Sequence, residues 1–424
     1  MSNAFIVGVG QTVFARHPFR TVRDLALEAV QEAASDASLE LADVEAVFFA
    51  NSVQGLHDGQ HLIRAQVALQ ETPLAGKAMV NVENACAGGS TALHLASTAV
   101  RSGQYDRVLA LGVDKVFVPD DPQKTFAVFA AALDVARTQE QLGRLLELRE
   151  ASLAVLRRDR PKIAARMPAG EAVGGGHSIF MDVYAAFALW HMARHGSTPE
   201  QLAAVAAKNH RHGALNPKAQ IRIPMTPEEV LADRLVSWPL TRSMCAPVGD
   251  GAAAAVVASE RDVRARGRGR AIRVRASAMA SGTARPLEAT AEDVAARTAR
   301  VAYAQAALGP DDVHVAEVHD ATAFGELHQL EALGFCPEGR GGEAAVTGES
   351  AVGGRRPINP SGGLECRGHP IAASGLAQIH EIVLQLRGDA GGRQATGARI
   401  GLTENGGGNL GYEEAALCIH ILEA

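Results

Sequence analysis

Two stretches of the chain show the same order of polar and apolar positions. Residues 21–52 start with a helix-capping threonine and an aspartate three positions later, continue with apolar residues at helical spacing, and end in the strand-like run VEAVFFAN. Residues 290–322 follow the same order, with Thr290 as the expected cap, a Gly-Pro turn and the strand-like run VHVAEVHD. The shared order predicts two duplicated α/β halves; the alternative is a coincidental likeness between two βα units.

A reactive residue beside glycines opens a helical stretch in each predicted half. Cys86 follows the strand-like run KAMVNVENA and precedes AGGSTALHLASTAVRSG, and His369 precedes PIAASGLAQIHEIVLQLRG. A further apolar run follows each helix, RVLALGVD in the first half and ARIGLTENGGG in the second. We therefore expect a first half over residues 1–265 and a second over residues 270–424, with mixed sheets covered by helices on both faces.

The segment from about residue 118 to about residue 235 has no counterpart in the second half, and it is interpreted as an insertion. Its charged helical stretch over residues 123–170 is expected to cover a site or to form an interface. The basic run KNHRH, residues 208–212, is interpreted as a solvated helix end, where cations suit the helix dipole; phosphate binding is the alternative.

The composition narrows the class of protein. The 424 residues carry a formal net charge of −6, which gives no indication of binding to nucleic acid or to an anionic membrane. No apolar run reaches the ~18 residues of a membrane span, and the N-terminal residues lack the pattern of a secretory signal. The five cysteines are scattered and form no CxxC pair, so we expect a reduced, cytoplasmic setting with no disulfide framework and no metal site.

Cys86 is a candidate nucleophile because its strand delivers it to the start of a helix. Free N–H groups and the positive end of the helix dipole would stabilise a thiolate there and would bind the oxyanion formed when sulfur attacks a carbonyl. The glycines that follow would let the backbone approach a substrate closely. The alternative is a small buried cysteine at a tight turn.

Three further polar positions accompany Cys86. His369, between Gly368 and Pro370, is expected to stay neutral beside a helix N-terminus, which suits a general base. His319 ends an apolar strand with Asp320, at the strand end where α/β proteins often place functional side chains. The glycine run ENGGG, residues 404–408, offers backbone N–H groups for an oxyanion. The alternatives are a satisfied loop histidine, a strand-end polar pair and an ordinary glycine turn.

Together these motifs resemble the thiolase superfamily, and specifically its sterol-carrier-protein-type branch. The nucleophile motif is NVENACAGGSTAL, the histidine motif is GGLECRGHPIAASG, and HDAT stands where the family has Asn-Glu-Ala-Phe, with His replacing Asn as in that branch. Similarity in HGSTPEQLAAVAAKNHRHGALNPKAQ and MCAPVGDGAAAAVVASE extends the resemblance over nearly the whole chain. The resemblance implies an α/β thiolase fold, with five αβαβα layers built from two duplicated βαβαβ halves, an inserted and mostly helical loop domain, and usually a homodimer.

The resemblance also implies a role for each motif residue. Cys86 would take an acyl group from an acyl-CoA as a thioester, and His369 would activate the Cys86 thiol and help to bind an oxyanion. His319 would hold a water for one oxyanion hole, and the backbone N–H groups of Cys86 and Gly406 would form the other. Coenzyme A would be the co-substrate, with no covalently bound cofactor. The reaction would be cleavage of a 3-oxoacyl-CoA by CoA or the reverse Claisen condensation.

The chain departs from the family pattern in two places. Glu404 stands where thiolases carry a second cysteine, the acid/base for the α-carbon, and it either takes that proton-transfer role or is a structural carboxylate. The helical stretch 123–170 is longer than the resemblance predicts, which suggests an aromatic or branched acyl group or a partner. Some relatives in this branch work with a small zinc-ribbon and OB-fold protein, and here such a module would be a separate subunit.

Two other functions are alternatives to the thiolase interpretation. A retro-aldolase of the steroid side-chain type would use tyrosines, and Tyr105, Tyr184, Tyr303 and Tyr412 all lie outside the core motifs. A non-catalytic thiolase-like subunit would only bind lipid or a partner. The residues that would bind substrate, and the acyl group itself, are left open by the sequence.

Overall fold

A computed structural model describes residues 3–168, 177–267, 269–283 and 285–424. Within these ranges the chain forms eleven β-strands. The strands are β1 Ala4–Gln11, β2 Ala46–Ala50, β3 Ala78–Val82, β4 Arg107–Lys115, β5 Leu235–Ser237, β6 Leu240–Thr241, β7 Asp250–Ser259, β8 Ile272–Ser281, β9 Val315–Glu317, β10 Ile400–Gly407 and β11 Ala416–Glu423.

The same ranges contain sixteen α-helices, and none of them combines the length and apolar character needed to cross a bilayer. The helices are α1 Val22–Asp36, α2 Gln54–Asp58, α3 Arg64–Leu69, α4 Gly88–Arg101, α5 Pro122–Ala130, α6 Thr138–Asp159, α7 Pro161–Ala164, α8 Ile179–His195, α9 Pro199–Leu215, α10 Pro227–Ala232, α11 Glu260–Arg266, α12 Val294–Ala306, α13 Ala323–Ala332, α14 Glu343–Thr347, α15 Gly363–Arg367 and α16 Ser374–Arg387.

Nine strands form one sheet whose order shows the duplication. The order is β3-β2-β4-β7-β1-β8-β11-β10-β9, and β1 meets β8 at its middle. Moving outward from this junction, each half has two antiparallel pairings and then a parallel one: β1-β7-β4-β2 on one side and β8-β11-β10-β9 on the other. The first half adds β3 as a parallel edge strand, and the second has only an isolated parallel bridge, Ala316 to Ile358, in that place. The expected boundary near residues 265–270 falls between β7 and β8.

Helices cover the outer face of each half of the sheet, and two further helices lie between the two halves. α1 packs on β1, β4 and β7 from outside, and α12 packs on β8 and β11 from the opposite outer face. α4 and α16 lie between the halves and contact strands of both, in a core that joins Leu93 and Val100 of α4 to Leu376 and Ile379 of α16. The five-layered αβαβα arrangement predicted from the sequence is therefore confirmed.

Helix caps follow the predicted pattern in the first half and differ in the second. Thr21 caps α1, and the Asp24 side chain bonds back to the Thr21 N–H, as a capping box requires. The predicted cap Thr290 instead begins a 3-10 turn, and Asp293 caps α12 by accepting the Ala295 N–H at 2.9 Å. Asp293 also pairs with Arg285, and this buried ion pair fixes the position at which the helix starts.

The inserted segment is mostly helical and packs around a core that it shares with α13 of the second half. α6 packs against α8, and α9 and α10 complete a cluster that includes Leu153, Leu189 and Trp238. Of the predicted helical stretch 123–170, residues 169 and 170 lie outside the described residues, and the rest is divided among α5, α6 and α7.

The basic run at residues 208–212 is not a solvated helix end. It lies inside α9, and Lys208 and Asn209 are fully buried. The Lys208 ammonium lies 2.5 Å from Glu326 of α13 and also donates to the Ile358 carbonyl oxygen. A buried lysine needs such a pair because removing an ammonium group from water is costly. His210 and His212 are buried as well, and Arg211 is the exposed member of the run.

Candidate active site

The two predicted reactive residues meet at the centre of the molecule. Cys86 lies in a 3-10 turn, Ala85–Ala87, between β3 and α4, and His369 precedes a second 3-10 turn that leads into α16. Because α4 and α16 share the central layer, their N-terminal turns lie side by side. The Cys86 Sγ lies 3.3 Å from the His369 Nε2, within hydrogen-bonding distance of a thiol.

The hydrogen bonds of His369 assign the proton of its ring. The Ser374 hydroxyl donates to the Pro370 carbonyl oxygen at 3.2 Å, so its oxygen accepts the His369 Nδ1–H at 2.6 Å. This tautomer leaves Nε2 as an acceptor for the Cys86 S–H. Burial holds the pKa of His369 well below its usual range, and the neighbouring His319 acts in the same direction. His369 is therefore neutral, as predicted for a general base.

Cys86 differs from the thiolate that its position predicted. Burial raises the pKa of the Cys86 thiol to about 12, while hydrogen bonds from the backbone N–H groups of Gly408 and Cys86 act in the opposite direction. Asp114 and Glu83 raise it further because a negative charge disfavours a thiolate nearby. The resting pair is thus a neutral thiol and a neutral imidazole, and sulfur becomes anionic only as its proton moves to His369.

His319 lies beside His369, with the two ring centroids 5.3 Å apart and the rings nearly perpendicular. Its Nδ1 lies 3.0 Å from the Asn405 amide nitrogen, and the Ser90 hydroxyl bonds to the amide oxygen at 3.0 Å. The amide orientation makes Nδ1 an acceptor and leaves the Nε2–H of His319 as a donor. Burial lowers the pKa of His319 to about 3, so this donor is a neutral imidazole. Asn405 is a site residue that sequence reasoning did not assign.

Glu404 lies behind His319. It is not one of the described residues that line the active-site cavity. One carboxyl oxygen accepts the backbone N–H of His319 at 2.8 Å, and the other has no hydrogen-bond partner among the described residues. Burial raises the pKa of Glu404 well above its usual range, and Glu414 acts in the same direction. Of the two predicted roles for Glu404, this geometry favours a structural carboxyl group that fixes the strand end carrying His319.

Glycines allow the elements of the site to approach each other. A Cβ at Gly89 would lie 2.5 Å from the Ala372 carbonyl oxygen, so the glycines after Cys86 serve helix packing rather than the expected approach to substrate. The end of β10 meets the nucleophile turn instead. A Cβ at Gly407 would lie 2.5 Å from the Ala87 nitrogen and 2.9 Å from the Cys86 nitrogen. Gly406 lines the same cavity as Cys86.

Replacing Gly407 by alanine is expected to lower the rate at which the Cys86 thiol reacts with a carbonyl substrate by at least about 100-fold, because the added methyl group displaces the backbone N–H of Cys86. Steady-state kinetics on the purified variant measures this loss. Gly143→Ala is the matched control, since Gly143 lies in α6 with open space around it, and full activity is expected there. Unchanged activity of Gly407→Ala would show that the turn tolerates displacement.

A cavity of about 1500 Å³ opens above the Cys86 thiol. Cys86, His319 and His369 line its floor, and aromatic side chains from the inserted segment line its walls. The aromatic wall residues are Phe126, Phe129, Phe180 and Tyr184. The chain is poor in aromatic residues overall, so their concentration here is a property of the fold that the sequence did not reveal.

The three floor residues also form a donor set of the kind that zinc accepts. One ligand atom each from Cys86, His319 and His369 lies within 4.8 Å of the other two. In the structure, however, the thiol is hydrogen bonded to His369 and His319 is held by Asn405. These contacts make a proton-transfer site, which fits nucleophilic chemistry better than a metal centre.

A buried ionic network supports the two histidines from below. Arg367 donates to Glu317 at 2.8 Å and to the carbonyl oxygen of Ser374, the residue that orients His369. Asn209 of α9 connects Asp320 and Glu365 through its amide nitrogen, at 3.1 Å from each carboxyl group. The strand end that carries His319 is thereby tied to the inserted segment.

Both halves of the chain match thiolase family models. Residues 4–136 match the N-terminal domain of thiolase, and residues 276–420 match the thiolase C-terminal domain-like family. The chain is 36% identical to an acetyl-CoA acetyltransferase of Methanothermobacter thermautotrophicus, over 97% of this chain and 98% of that protein. It is 33% identical to sterol carrier protein 2 of Bos taurus, over 100% of this chain and 75% of that protein.

Two further similarities concern a protein subunit and a solved structure. The benzoylsuccinyl-CoA thiolase subunit BbsB of Thauera aromatica is 32% identical, over 95% of this chain and 94% of that protein. The structure of the Ltp2-ChsH2(DUF35) aldolase superposes with a TM-score of 0.74 at 24% identity, covering 100% of this chain and 98% of that one, which shows a shared fold. With the duplicated halves, these matches establish that the chain belongs to the thiolase superfamily, in its sterol-carrier-protein-type branch.

Proposed function

We propose that this protein is a thiolase-type acyl-CoA acyltransferase that cleaves a 3-oxoacyl-CoA with CoA, or catalyses the reverse condensation, through a thioester on Cys86. The observation that carries the proposal is the 3.3 Å contact between the Cys86 thiol and the His369 Nε2 at the floor of a large cavity. A neutral thiol beside a neutral imidazole with a free Nε2 lone pair is a resting state from which His369 can activate the sulfur for nucleophilic acyl transfer.

In the cleavage direction, His369 Nε2 takes the thiol proton as the Cys86 sulfur attacks the 3-oxo carbon. The backbone N–H groups of Cys86 and Gly406 stabilise the developing oxyanion. The bond between C2 and C3 then breaks, leaving the acyl group on sulfur and an enolate on the departing acyl-CoA. A water held by His319, together with His369, stabilises that enolate oxygen until C2 takes up a proton and the shortened acyl-CoA leaves. The thiol of a second CoA then loses its proton as it attacks the thioester, which replaces the proton used at C2. The departing Cys86 sulfur takes its proton back from His369.

The acyl group is proposed to be bulky and apolar, with an aromatic or branched group as the specific candidate. The cavity walls near Cys86 carry aromatic and aliphatic side chains, and one similar protein is named a benzoylsuccinyl-CoA thiolase subunit. The cavity mouth carries three exposed guanidinium groups, which suit the phosphates of coenzyme A. These are Arg16, Arg234 and Arg242.

A homodimer and a separate partner subunit are also proposed. The strand β3 is an edge of the sheet with Val80 46% exposed, and a bare apolar edge is a ready site for pairing with another chain. A small zinc-ribbon and OB-fold protein is the proposed further partner. One similar protein is named as a thiolase subunit, and the similar aldolase is named for two components, Ltp2 and ChsH2(DUF35), which supports this proposal. The free state of all five cysteines supports a reducing, cytoplasmic location.

One observation favours the retro-aldolase as the second candidate. Tyr184 lines the active-site cavity with Cys86, although its sequence position lies outside the thiolase motifs. Burial raises the pKa of Tyr184 well above its usual range, and Glu414 acts in the same direction. Tyr184 is therefore a neutral hydroxyl group that can donate a hydrogen bond to a substrate oxygen.

An acylation experiment separates the candidate functions. Intact protein mass is measured after incubation with acyl-CoA thioesters from acetyl-CoA to benzoyl-CoA, for the wild type and for Cys86→Ala. We expect an added acyl mass on the wild type alone, unaffected by prior dialysis against a chelator. In a parallel incubation with a 3-hydroxyacyl-CoA, cleavage by Cys86→Ala to a carbonyl compound and a shorter acyl-CoA would instead establish the retro-aldolase. The absence of both adduct and cleavage would establish a non-catalytic subunit.

A further inference from the structure

We propose that Glu414 moves the proton at the α-carbon of the acyl-CoA, the step for which Glu404 is poorly placed. This inference rests on the proposed thiolase function. In condensation, the Glu414 carboxylate would remove a proton from C2 of the acyl-CoA, and the C2 carbon would then form its bond to the carbonyl carbon of the Cys86 thioester. The bond from carbon to sulfur breaks, and the departing sulfur takes up one proton, which balances the proton lost from C2.

The side chain of Glu414 lies where the reacting carbon would be held. A Cβ at Gly406 would lie 2.6 Å from the Glu414 Cγ and 3.2 Å from its Oε1, so the carboxyl group is packed against the Gly406 backbone. Both residues line the cavity above Cys86. A carbonyl oxygen bound by the N–H groups of Cys86 and Gly406 would thus bring its neighbouring carbons close to this carboxyl group.

The hydrogen bonds of Glu414 leave it able to react. The Gln329 amide donates to the Glu414 Oε1 at 2.9 Å. Among the described residues, no other side chain donates a hydrogen bond to this carboxyl group. Gln329 belongs to α13, so the helix that follows the HDAT motif also orients Glu414. A carboxyl group that is oriented by one bond and otherwise faces a cavity can approach a substrate atom without losing a network of bonds.

Burial raises the pKa of Glu414 to about 6, with Asp293 acting in the same direction and His328 opposing it. A pKa near neutrality lets one group both accept and return a proton. Several titratable groups face Glu414 from the elements packed against it. They are Tyr184 of α8, Asp293 at the start of α12, His328 of α13, Glu404 of β10 and the adjacent Glu413.

The other acidic groups near the cavity are less suited to this step. Glu365 lines the cavity, but burial and the charge of Asp320 raise its pKa well above the usual range, so it stays protonated. Burial also raises the pKa of Cys245, whose thiol donates to the Thr241 carbonyl oxygen. Glu414 combines contact with the cavity, packing against Gly406 and titration near neutral pH.

Exchange of the C2 protons of acetyl-CoA for deuterium, followed by mass spectrometry, tests this assignment. The wild type should catalyse exchange, with a rate that falls as the pH drops below about 6 because Glu414 becomes protonated. Glu414→Gln should exchange at least about 100-fold more slowly and lose this pH dependence, while Cys86 still becomes acylated. Glu349→Gln, an exposed residue outside the cavity lining, is the matched control and should exchange normally.

The outcomes distinguish this inference from the proposed function. Acylation of Cys86 with undiminished exchange in Glu414→Gln would overturn the role of Glu414 alone, whereas a wild type that is never acylated would overturn the thiolase function. Gln329→Met provides a second test if Glu414→Gln does not fold. Losing the Gln329 hydrogen bond disfavours the carboxylate, so the pH dependence of exchange should move to higher pH. An unmoved profile would contradict the proposal.

Discussion

Replacing Cys86 and His369 by alanine, singly and together, is expected to give nearly the same loss of acyl transfer in all three variants, about 1000-fold or more. The two side chains act as one unit because, in the part of the chain that the structure describes, the Cys86 thiol has the His369 Nε2 as its proton acceptor, at 3.3 Å. With the pKa of that thiol raised to about 12, very little thiolate forms near neutral pH without the histidine. The measurement is kcat/KM for cleavage of a 3-oxoacyl-CoA by each variant.

The control for this series is Cys336→Ala, a half-buried cysteine outside the described cavity lining, for which we expect unchanged kinetics. Circular dichroism checks that all variants fold. If the double variant showed the product of the two single losses, Cys86 and His369 would contribute independently, and the proposed proton transfer between them would be contradicted.

Replacing Arg367 by methionine is expected to lower the free energy of unfolding by about 3–5 kcal/mol, since the buried Glu317 carboxyl group keeps its hydrogen bonds from Ser361 but loses its positively charged partner. Arg367 and Glu317 are 1% and 0% exposed, and their charged groups lie 2.8 Å apart. Arg355→Met is the matched control, because Arg355 pairs with Asp311 at the surface, and a change of at most about 1 kcal/mol is expected there. Urea denaturation measures both values.

The destabilisation by Arg367→Met should depend on pH in a defined direction. Burial raises the pKa of Glu317 to about 7 even with Arg367 present, and loss of the guanidinium raises it further. A carboxyl group whose folded pKa lies above its unfolded value stabilises the fold at low pH, and this contribution is lost as the pH rises through the folded pKa. The variant should therefore lose more stability at about pH 8 than at about pH 6. An equal loss of stability at the two pH values would mean that another group stabilises the Glu317 carboxylate in the variant.

Local patterns in the sequence predicted the parts of the molecule that depend on neighbouring residues. The Thr21 capping box, the strand before Cys86 and the repeated order of elements all appear in the structure, because caps and hydrophobic periodicity act over a few residues. The meeting of Cys86 with His369 was implied by the family resemblance, and the two central helices provide its physical basis.

Features that depend on residues far apart in the sequence could not be predicted from local patterns. The run at residues 208–212 was expected at the surface because its partner Glu326 lies 118 positions later in the chain. Tyr184 was set aside because it lies outside the motifs, yet α8 carries it into the cavity. The sequence did not identify Glu414 as a site residue, because its position depends on the packing of a loop against Gly406. Pairings of this kind are set by the fold rather than by spacing along the chain.

The shared central layer has a consequence for how the protein is made. α4 and α16 bury each other, but the ribosome completes α4 long before it reaches α16. The nascent first half must therefore carry the apolar face of α4 uncovered through most of translation, and such exposed surface attracts chaperones and promotes aggregation. A message truncated before residue 369 would leave Cys86 in a chain that has neither its proton acceptor nor the helix that shields its core.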